Sequence, residues 1–249
     1  MKEAILSYLS AGCSQRGSLH YYQTLDSTNT EAKALARQGA PAGTAVVAQM
    51  QTGGRGRMGR SFLSPAGGVY LSVILRPEMP AAELMHLTCA AAVAAQQAVR
   101  EITGIVPQIK WINDLVLEKK KLGGILTELS LKPDGAVDFA IIGIGINCGA
   151  VPAEVAQIAT AVDADPAQLC AELINAFCQM DLQSKTSMLE HYRASCITLG
   201  KPVKILGSET TGTAVDVDDR GGLMIRLETG HIRTVDSGEV SVRGLYGYV

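Results

Sequence analysis

Residues 51–60 read QTGGRGRMGR, and this glycine- and arginine-rich stretch decides the fold class. Residues 54–59 match the GxGxxG pattern of dinucleotide-binding folds, and the apolar run before them, residues 44–50, has the composition of a buried strand. In such folds, however, the glycine loop opens directly onto a helix whose N-terminus binds the pyrophosphate. Here the chain continues through Ser64, Pro65 and Gly67 into a second strand-like run. The stretch is therefore predicted to be a loop between two strands, which argues against a doubly wound fold.

The rest of the chain contains strand-like and helix-like runs that do not alternate regularly. Strands are predicted at residues 19–25, 44–50, 69–75, 108–111, 115–118, 122–131 and 136–146, and helices at residues 2–9, 30–37, 81–102 and within 166–192. This order predicts an α+β fold in which helices pack on a mixed β-sheet. From residue 200 onward, short strands between polar turns predict a small β-barrel. We place the domain boundary near Ala194, giving domains of residues 1–193 and 194–249.

The composition indicates a globular protein and excludes several classes. With 47% hydrophobic and 18% charged residues, the chain can bury enough apolar surface to offset its conformational entropy. A net charge of −2 gives no electrostatic reason to bind nucleic acid or an anionic membrane. The apolar stretches are shorter than the ~20 residues of a membrane-spanning helix, so we expect a cytoplasmic protein. The six cysteines lack CxxC spacing and the four histidines are far apart, so neither a disulfide framework nor a metal site is predicted.

The arginines of residues 51–60 suit a bound anion. Arg55, Arg57 and Arg60 are interspersed with glycines, which let the backbone lie close to a ligand. Their guanidinium groups can donate paired hydrogen bonds to a carboxylate or a phosphate. A solvated basic loop is the alternative interpretation.

A second cationic segment covers residues 110–128. Its chemistry-bearing residues are Lys110, Trp111, Asn113, Asp114 and the three lysines at 119–121. The first two of those lysines fit a solvated hairpin tip, whereas Lys121 precedes a Gly-Gly pair where a ligand can approach the backbone. The Asn-Asp pair fits a simple turn equally well. Residues 143–147, GIGIN, end an apolar strand; their glycines either leave room for a flat ring or mark a close crossing of strands.

These residue types suit the condensation of a carboxylic acid with ATP. That reaction brings a carboxylate to a triphosphate, and two unit anions at ~4 Å repel by ~4 kcal/mol at an effective dielectric near 20. Arginine and lysine side chains offset the repulsion and stabilise the departing pyrophosphate, with Mg²⁺ on the nucleotide contributing more. The sequence contains neither a GxSxG elbow nor a GxxxxGK[ST] phosphate loop, so a nucleophilic hydrolase and a P-loop NTPase are excluded.

Taken together, five segments resemble the biotin protein ligase family in order and spacing. They are Ser27-Thr28-Asn29, the GRGRxGR loop of residues 54–60, the KWxND motif of residues 110–114, the KxxGILxE motif of residues 121–128 and the GxGIN motif of residues 143–147. The resemblance implies a catalytic domain of the class II synthetase-like, biotin/lipoate ligase type and a C-terminal SH3-like barrel. Fewer than 20 residues precede the first predicted strand, so we expect the monofunctional type without an N-terminal DNA-binding domain.

The resemblance also implies the reaction: biotin and MgATP give biotinyl-5′-AMP and pyrophosphate, and a lysine of a biotin carboxyl carrier protein then takes the biotinyl group. The residues implied to bind biotin are Ser27, Thr28, Asn29, Gln51, Gly54, Arg55, Gly124 and Leu126. Those implied to contact ATP or AMP are Arg57, Arg60, Lys110, Trp111, Asn113, Lys121, Asn147 and Arg243. The implied catalytic residues are Arg55, Arg57, Asp114 and Lys121. Ile112 stands where the family usually has proline, a difference that removes no polar group.

Two other functions remain open at this point. A lipoate protein ligase uses the same adenylation chemistry, but Ser27 and Gln51 supply the donors and acceptors that a ureido ring requires. A non-enzymatic regulator that senses biotinyl-AMP is disfavoured by the net charge of −2. A homodimer is expected from the family resemblance alone, and binding to DNA or to a membrane is not expected.

Overall fold

The computed structural model describes residues 1–14, 18–180, 185–205, 209–236 and 240–241. The strands of its larger sheet are β1 Leu19–Leu25, β2 Ala45–Gln51, β3 Val69–Leu75, β4 Gln108–Lys110, β5 Asp114–Leu117, β6 Lys120–Leu131 and β7 Val137–Ile146. Across the sheet their order is β1-β2-β3-β7-β6-β5-β4. Strands β1 and β2 run parallel, and all other neighbours in this sheet are antiparallel. The predicted mixed sheet is therefore confirmed.

Helices cover both faces of this sheet. They are α1 Lys2–Tyr8, α2 Ala11–Ser14, α3 Thr28–Arg37, α4 Leu84–Thr103, α5 Pro166–Gln179 and α6 Lys185–Ser195. Successive strand residues point to opposite faces, so Val46 packs in the smaller core with α3, while Val47 packs in the main core with α4 and α5. Helix α4 ends at Gly104, whose φ of 72° is left-handed and is adopted by glycine without a Cβ clash.

A smaller antiparallel sheet follows in the chain. Its strands are β8 Pro202–Ile205, β9 Thr211–Val217, β10 Leu223–Leu227, β11 Ile232–Val235 and β12 Val240–Ser241, in the order β11-β10-β9-β8-β12. The predicted small β domain is thus present. Its buried residues, such as Val203 and Leu223, belong to the same hydrophobic cluster as Leu115 under the larger sheet. The two sheets therefore share one core.

The predicted domain boundary at residues 193/194 falls in the last turn of α6, which continues to Ser195. One predicted helix boundary differs from the structure. Helix α3 begins at Thr28 rather than at residue 30, with Ser27 as its extended N-cap residue. Within the described ranges, no helix is long and apolar enough to cross a membrane.

Candidate functional site

The side chain of Gln51, at the end of β2, connects the start of α3 to the arginine loop. Its Oε1 accepts from the Thr28 backbone amide at 2.9 Å and lies 3.1 Å from Thr28 Oγ1, while its Nε2 donates to Ser64 Oγ at 2.8 Å. Ser64 in turn donates to the Phe62 carbonyl at 3.0 Å. Thr28 and Ser64 are buried. This network fixes the orientation of the Gln51 amide, because its oxygen faces a donor and its nitrogen an acceptor.

A second network lies behind Thr28. The Ser72 hydroxyl, fully buried on β3, lies 2.8 Å from Thr28 Oγ1 and 2.6 Å from Asn29 Oδ1. Asn29 Nδ2 donates to Glu128 at 2.8 Å and to the Leu126 carbonyl at 3.3 Å. The predicted ligand-binding residue Asn29 therefore has both ends of its amide bound to the protein.

The glycines of the GIGIN strand make room for the protein's own flat groups. A Cβ on Gly143 would lie 1.9 Å from Asn29 Oδ1, and one on Gly145 would lie 2.5 Å from a carbon of the Phe62 ring. The Phe62 ring also packs edge-on to Tyr70 and faces Lys121 Nζ, 5.7 Å from its centroid. Of the two interpretations left open for these glycines, close packing is the one that the contacts support.

The two basic segments meet at consecutive residues. Arg57 Nη1 donates to Asn113 Oδ1 at 3.0 Å, and Lys121 Nζ lies 2.7 Å from Asp114 Oδ1. Register across the strands explains the second contact, because Lys121 on β6 pairs with Val116 on β5, and Asp114 lies two residues from Val116 along the same strand. Burial lowers the pKa of Arg57 from its usual value, and the nearby Asp114 carboxylate opposes that shift. Two cations and one carboxylate thus share a partly buried site.

Other predicted site residues lie at the margins of this cluster or serve the backbone. Arg55 and Arg60 are exposed, and Arg55 makes a 3.5 Å ion pair with Asp26. Gly54 is buried where the two arms of the loop cross, since a Cβ there would lie 2.4 Å from the Phe62 carbonyl oxygen. Ser27 is a buried N-cap residue whose side chain does not cap α3.

Four predicted residues organise the surroundings. Trp111 is buried and donates from Nε1 to the Gly221 carbonyl at 3.0 Å, and the Trp111–Ile112 peptide is cis. Asn147 donates to the Thr160 carbonyl at 2.9 Å. Lys110 ends β4, and Leu126 supplies the carbonyl that Asn29 binds. The remaining prediction, Arg243, lies outside the described residues.

Three polar or aromatic residues near the cluster were not predicted: Phe62, Ser64 and Ser72. Only Ser72 carries a local signal, because it is a small polar residue within the otherwise apolar and aromatic run of β3. The other two stand in a loop whose fold brings them back to Gln51, which no spacing reveals. Among the described residues, no group of three or more His, Cys, Asp or Glu side chains is placed to hold a metal ion.

Comparison with known proteins identifies the chain's family. Residues 21–147 match the model of the biotin/lipoate A/B protein ligase family, and residues 198–243 match that of the biotin protein ligase C-terminal domain. The chain is 36% identical to the bifunctional ligase/repressor BirA of Bacillus subtilis, over 90% of this chain and 74% of that protein. It is 32% identical to the biotin–[acetyl-CoA-carboxylase] ligase of Paracoccus denitrificans, over 88% of this chain and 98% of that protein.

A solved structure agrees with these relatives. The biotin protein ligase from Aquifex aeolicus in complex with biotin and ATP superposes with a TM-score of 0.74 at 33% identity, covering 90% of this chain and 97% of that one. The matching fold includes both the mixed sheet and the small C-terminal sheet. This chain therefore belongs to the biotin protein ligases of the biotin/lipoate A/B protein ligase family.

Proposed function

We propose that this chain activates biotin with MgATP to biotinyl-5′-AMP and pyrophosphate, and then transfers the biotinyl group to a lysine of a biotin carboxyl carrier protein. The observation that carries the proposal is the meeting of the two basic segments, Arg57 at Asn113 and Lys121 at Asp114. The relatives reported above are named as biotin ligases, which favours biotin over lipoate as the acid.

In the first step, the biotin carboxylate oxygen attacks the α-phosphorus of ATP and the pyrophosphate leaves. Arg57 and Lys121 are the cations that would lower the repulsion between carboxylate and phosphate and stabilise the negative charge of the transition state. Both are partly buried, so water screens their charges less than it would at the surface. Mg²⁺ carried by the nucleotide supplies further charge on the phosphates.

The remaining residues of the loop and strands are assigned by position. Arg55 and Arg60, exposed in the structure, would close over the carboxylate and phosphate when ligand is bound. The nucleotide would also contact Lys110, Trp111, Asn113, Asn147 and, from the small domain, Arg243. The ureido ring would contact Ser27, Thr28 and Gln51, beside the backbone of Gly54, while Gly124 and Leu126 would line the ring and tail. Asn29, in the network behind Thr28, would contribute to binding this ring indirectly.

In the second step, the neutral amine of the acceptor lysine attacks the acyl carbon and AMP leaves. Lys121 would bind the acyl-phosphate oxygens in this step as well. Asp114, which holds Lys121 Nζ at 2.7 Å, is the carboxylate available to orient the incoming amine. Gly124 leaves space for this pair, because a Cβ there would lie 3.2 Å from both charged groups.

The proposal is tested by incubating the full chain with ATP and Mg²⁺ and with either biotin or lipoate, followed by mass spectrometry under native conditions. We expect a retained adenylate with biotin only. The variants Arg57→Ala and Lys121→Ala should lose biotin-dependent pyrophosphate exchange while keeping the wild-type circular dichroism spectrum. Wild-type exchange in either variant, or adenylate formation with lipoate alone, would contradict the proposal.

We further propose the organisation and the location of this activity. The catalytic domain would cover residues 1–193 and the small β domain residues 194–249, with the division in the last turn of α6. A second copy of the chain is the proposed partner for β1, which is an edge strand of the larger sheet, and sedimentation tests this. The net charge of −2 argues against DNA as a partner, and a gel shift tests that.

The buried cysteines, none of which forms a disulfide within the described residues, support a reducing, cytoplasmic location.

A further inference from the structure

The hydroxyl groups of Thr28 and Ser72, at the proposed ureido site, take part in three oxygen–oxygen contacts but have only two protons between them. Four oxygens form a chain. Gln51 Oε1 lies 3.1 Å from Thr28 Oγ1, which lies 2.8 Å from Ser72 Oγ, which lies 2.6 Å from Asn29 Oδ1. Two of these oxygens belong to amides and only accept, so the chain holds two hydroxyl protons for three contacts. The direction of each hydrogen bond can therefore be worked out.

The Asn29 amide fixes one end. Its Nδ2 faces the Leu126 carbonyl and the Glu128 carboxylate, both of which only accept, so its Oδ1 must face Ser72. At 2.6 Å this contact is the shortest of the three, and it requires the Ser72 proton, because two lone pairs at that distance would repel. Lys33 forms an ion pair with the other oxygen of the Glu128 carboxylate.

The Thr28 proton can lie toward Gln51 Oε1 at 3.1 Å or toward Ser72 Oγ at 2.8 Å, and the shorter contact is the one that two facing lone pairs would destabilise more. Ser72 Oγ has given its own proton to Asn29, so the 2.8 Å contact with Thr28 is a hydrogen bond only if Thr28 donates. Gln51 Oε1, at 3.1 Å from Thr28 Oγ1, already accepts the Thr28 backbone N–H at 2.9 Å. With the Thr28 proton on Ser72, Thr28 Oγ1 and Gln51 Oε1 face each other at 3.1 Å with lone pairs only, and donors from a ligand would relieve their repulsion.

We infer that Ser72, whose proton is taken by the Asn29 oxygen, is a specificity-determining positioning residue. It makes Thr28 and Gln51 a pair of hydrogen-bond acceptors for the two N–H groups of a cyclic urea. The inference rests on the proposed function and adds the reason for its substrate choice. A ring without N–H groups, such as a dithiolane, would leave these buried oxygens unpaired, and a site of that kind rejects such ligands strongly.

The test compares Ser72→Ala with the wild type in biotin-dependent pyrophosphate exchange. Without the Ser72 oxygen, the Thr28 hydroxyl turns to Gln51 and its proton competes for the lone pairs that the ligand needs. We expect the KM for biotin to rise about tenfold, the effect of one hydrogen bond, with the KM for ATP unchanged. Thr44→Ala is the matched control, because it removes a buried hydroxyl without a partner just before β2 and should change neither constant.

A second readout separates positioning from a general loss of structure. Biotin methylated on one ureido nitrogen lacks one N–H, so the wild type should strongly prefer biotin, and Ser72→Ala should narrow the ratio of the two kcat/KM values. Ser72→Cys keeps a weaker acceptor in the same place and should give an intermediate ratio. This variant also provides the test if Ser72→Ala is too unstable to assay. An unchanged ratio in these variants overturns the inference. Absence of exchange in the wild type itself would instead refute the proposed function.

Discussion

The substitution Gly145→Ala is expected to displace the Phe62 ring and, with it, the arginine loop. The new Cβ would lie 2.5, 2.9 and 3.1 Å from three carbons of that ring. Non-bonded carbons prefer separations of about 3.5–4.0 Å, so the ring has to move by about 1 Å. Gly145 does not have a left-handed φ, so the strain arises from the ring contact alone. Overpacking of this kind destabilises a protein by about 1–3 kcal/mol.

The assay combines urea unfolding, followed by the fluorescence of the single tryptophan, with pyrophosphate exchange. Phe62→Leu removes part of the ring and should relieve the clash, so the double variant should be more stable than the sum of the single effects by about 1 kcal/mol or more. Gly12→Ala is the control, because a Cβ there meets no atom within 4 Å. Strictly additive effects of the Gly145 and Phe62 substitutions would refute the reasoning.

Three further predictions follow from the same contacts. Trp111→Phe removes the donor to the Gly221 carbonyl and should lower the free energy of unfolding by about 1–3 kcal/mol; an unchanged urea midpoint would contradict this. Burial raises the pKa of the Cys148 thiol to about 11 and also raises the pKa of the Tyr192 hydroxyl well above its usual value. Both groups therefore lose their protons at a lower pH in the unfolded chain than in the folded one. The contribution of these two groups to the free energy of unfolding should therefore be constant below pH about 8.5 and should fall above it, by up to about 1.4 kcal/mol per pH unit for each group. Rising stability between pH 9 and 11 would exclude this. Cleavage by trypsin within residues 51–68 should slow when biotin and ATP are added, because ligand phosphates neutralise neighbouring arginines; equal rates would count against loop ordering.

The mixed sheet was predictable because its decisive signal is local. The loop of residues 51–60 continues into β3 instead of a long helix, and the structure contains only a single 3₁₀ turn there, Arg57–Gly59. The strands were likewise predicted to within one or two residues. Proximity of the two basic segments was expected from the chemistry, and the contacts at Asn113 and Asp114 show the register that produces it.

The supporting residues could not be predicted, because their roles depend on contacts between distant parts of the chain. Ser72 is a serine in a mostly apolar strand, and it acquires its role only when α3 places Thr28 and Asn29 across from it. The same tertiary contacts explain why α3 begins earlier than its sequence pattern indicates. The sequence also does not reveal that the two sheets share one hydrophobic cluster, because that too depends on contacts between distant residues.

The hydrogen bond from Trp111 to Gly221 constrains how this protein can be re-engineered. Because the tryptophan stands in the segment that carries Asn113 and Asp114, a C-terminal module grafted from a relative must offer a backbone carbonyl at the same place. Because the two sheets share one hydrophobic cluster, the grafted module would also have to match its apolar surface, in addition to supplying that carbonyl. Calorimetry of the natural chain should accordingly record one heat-absorption peak instead of two.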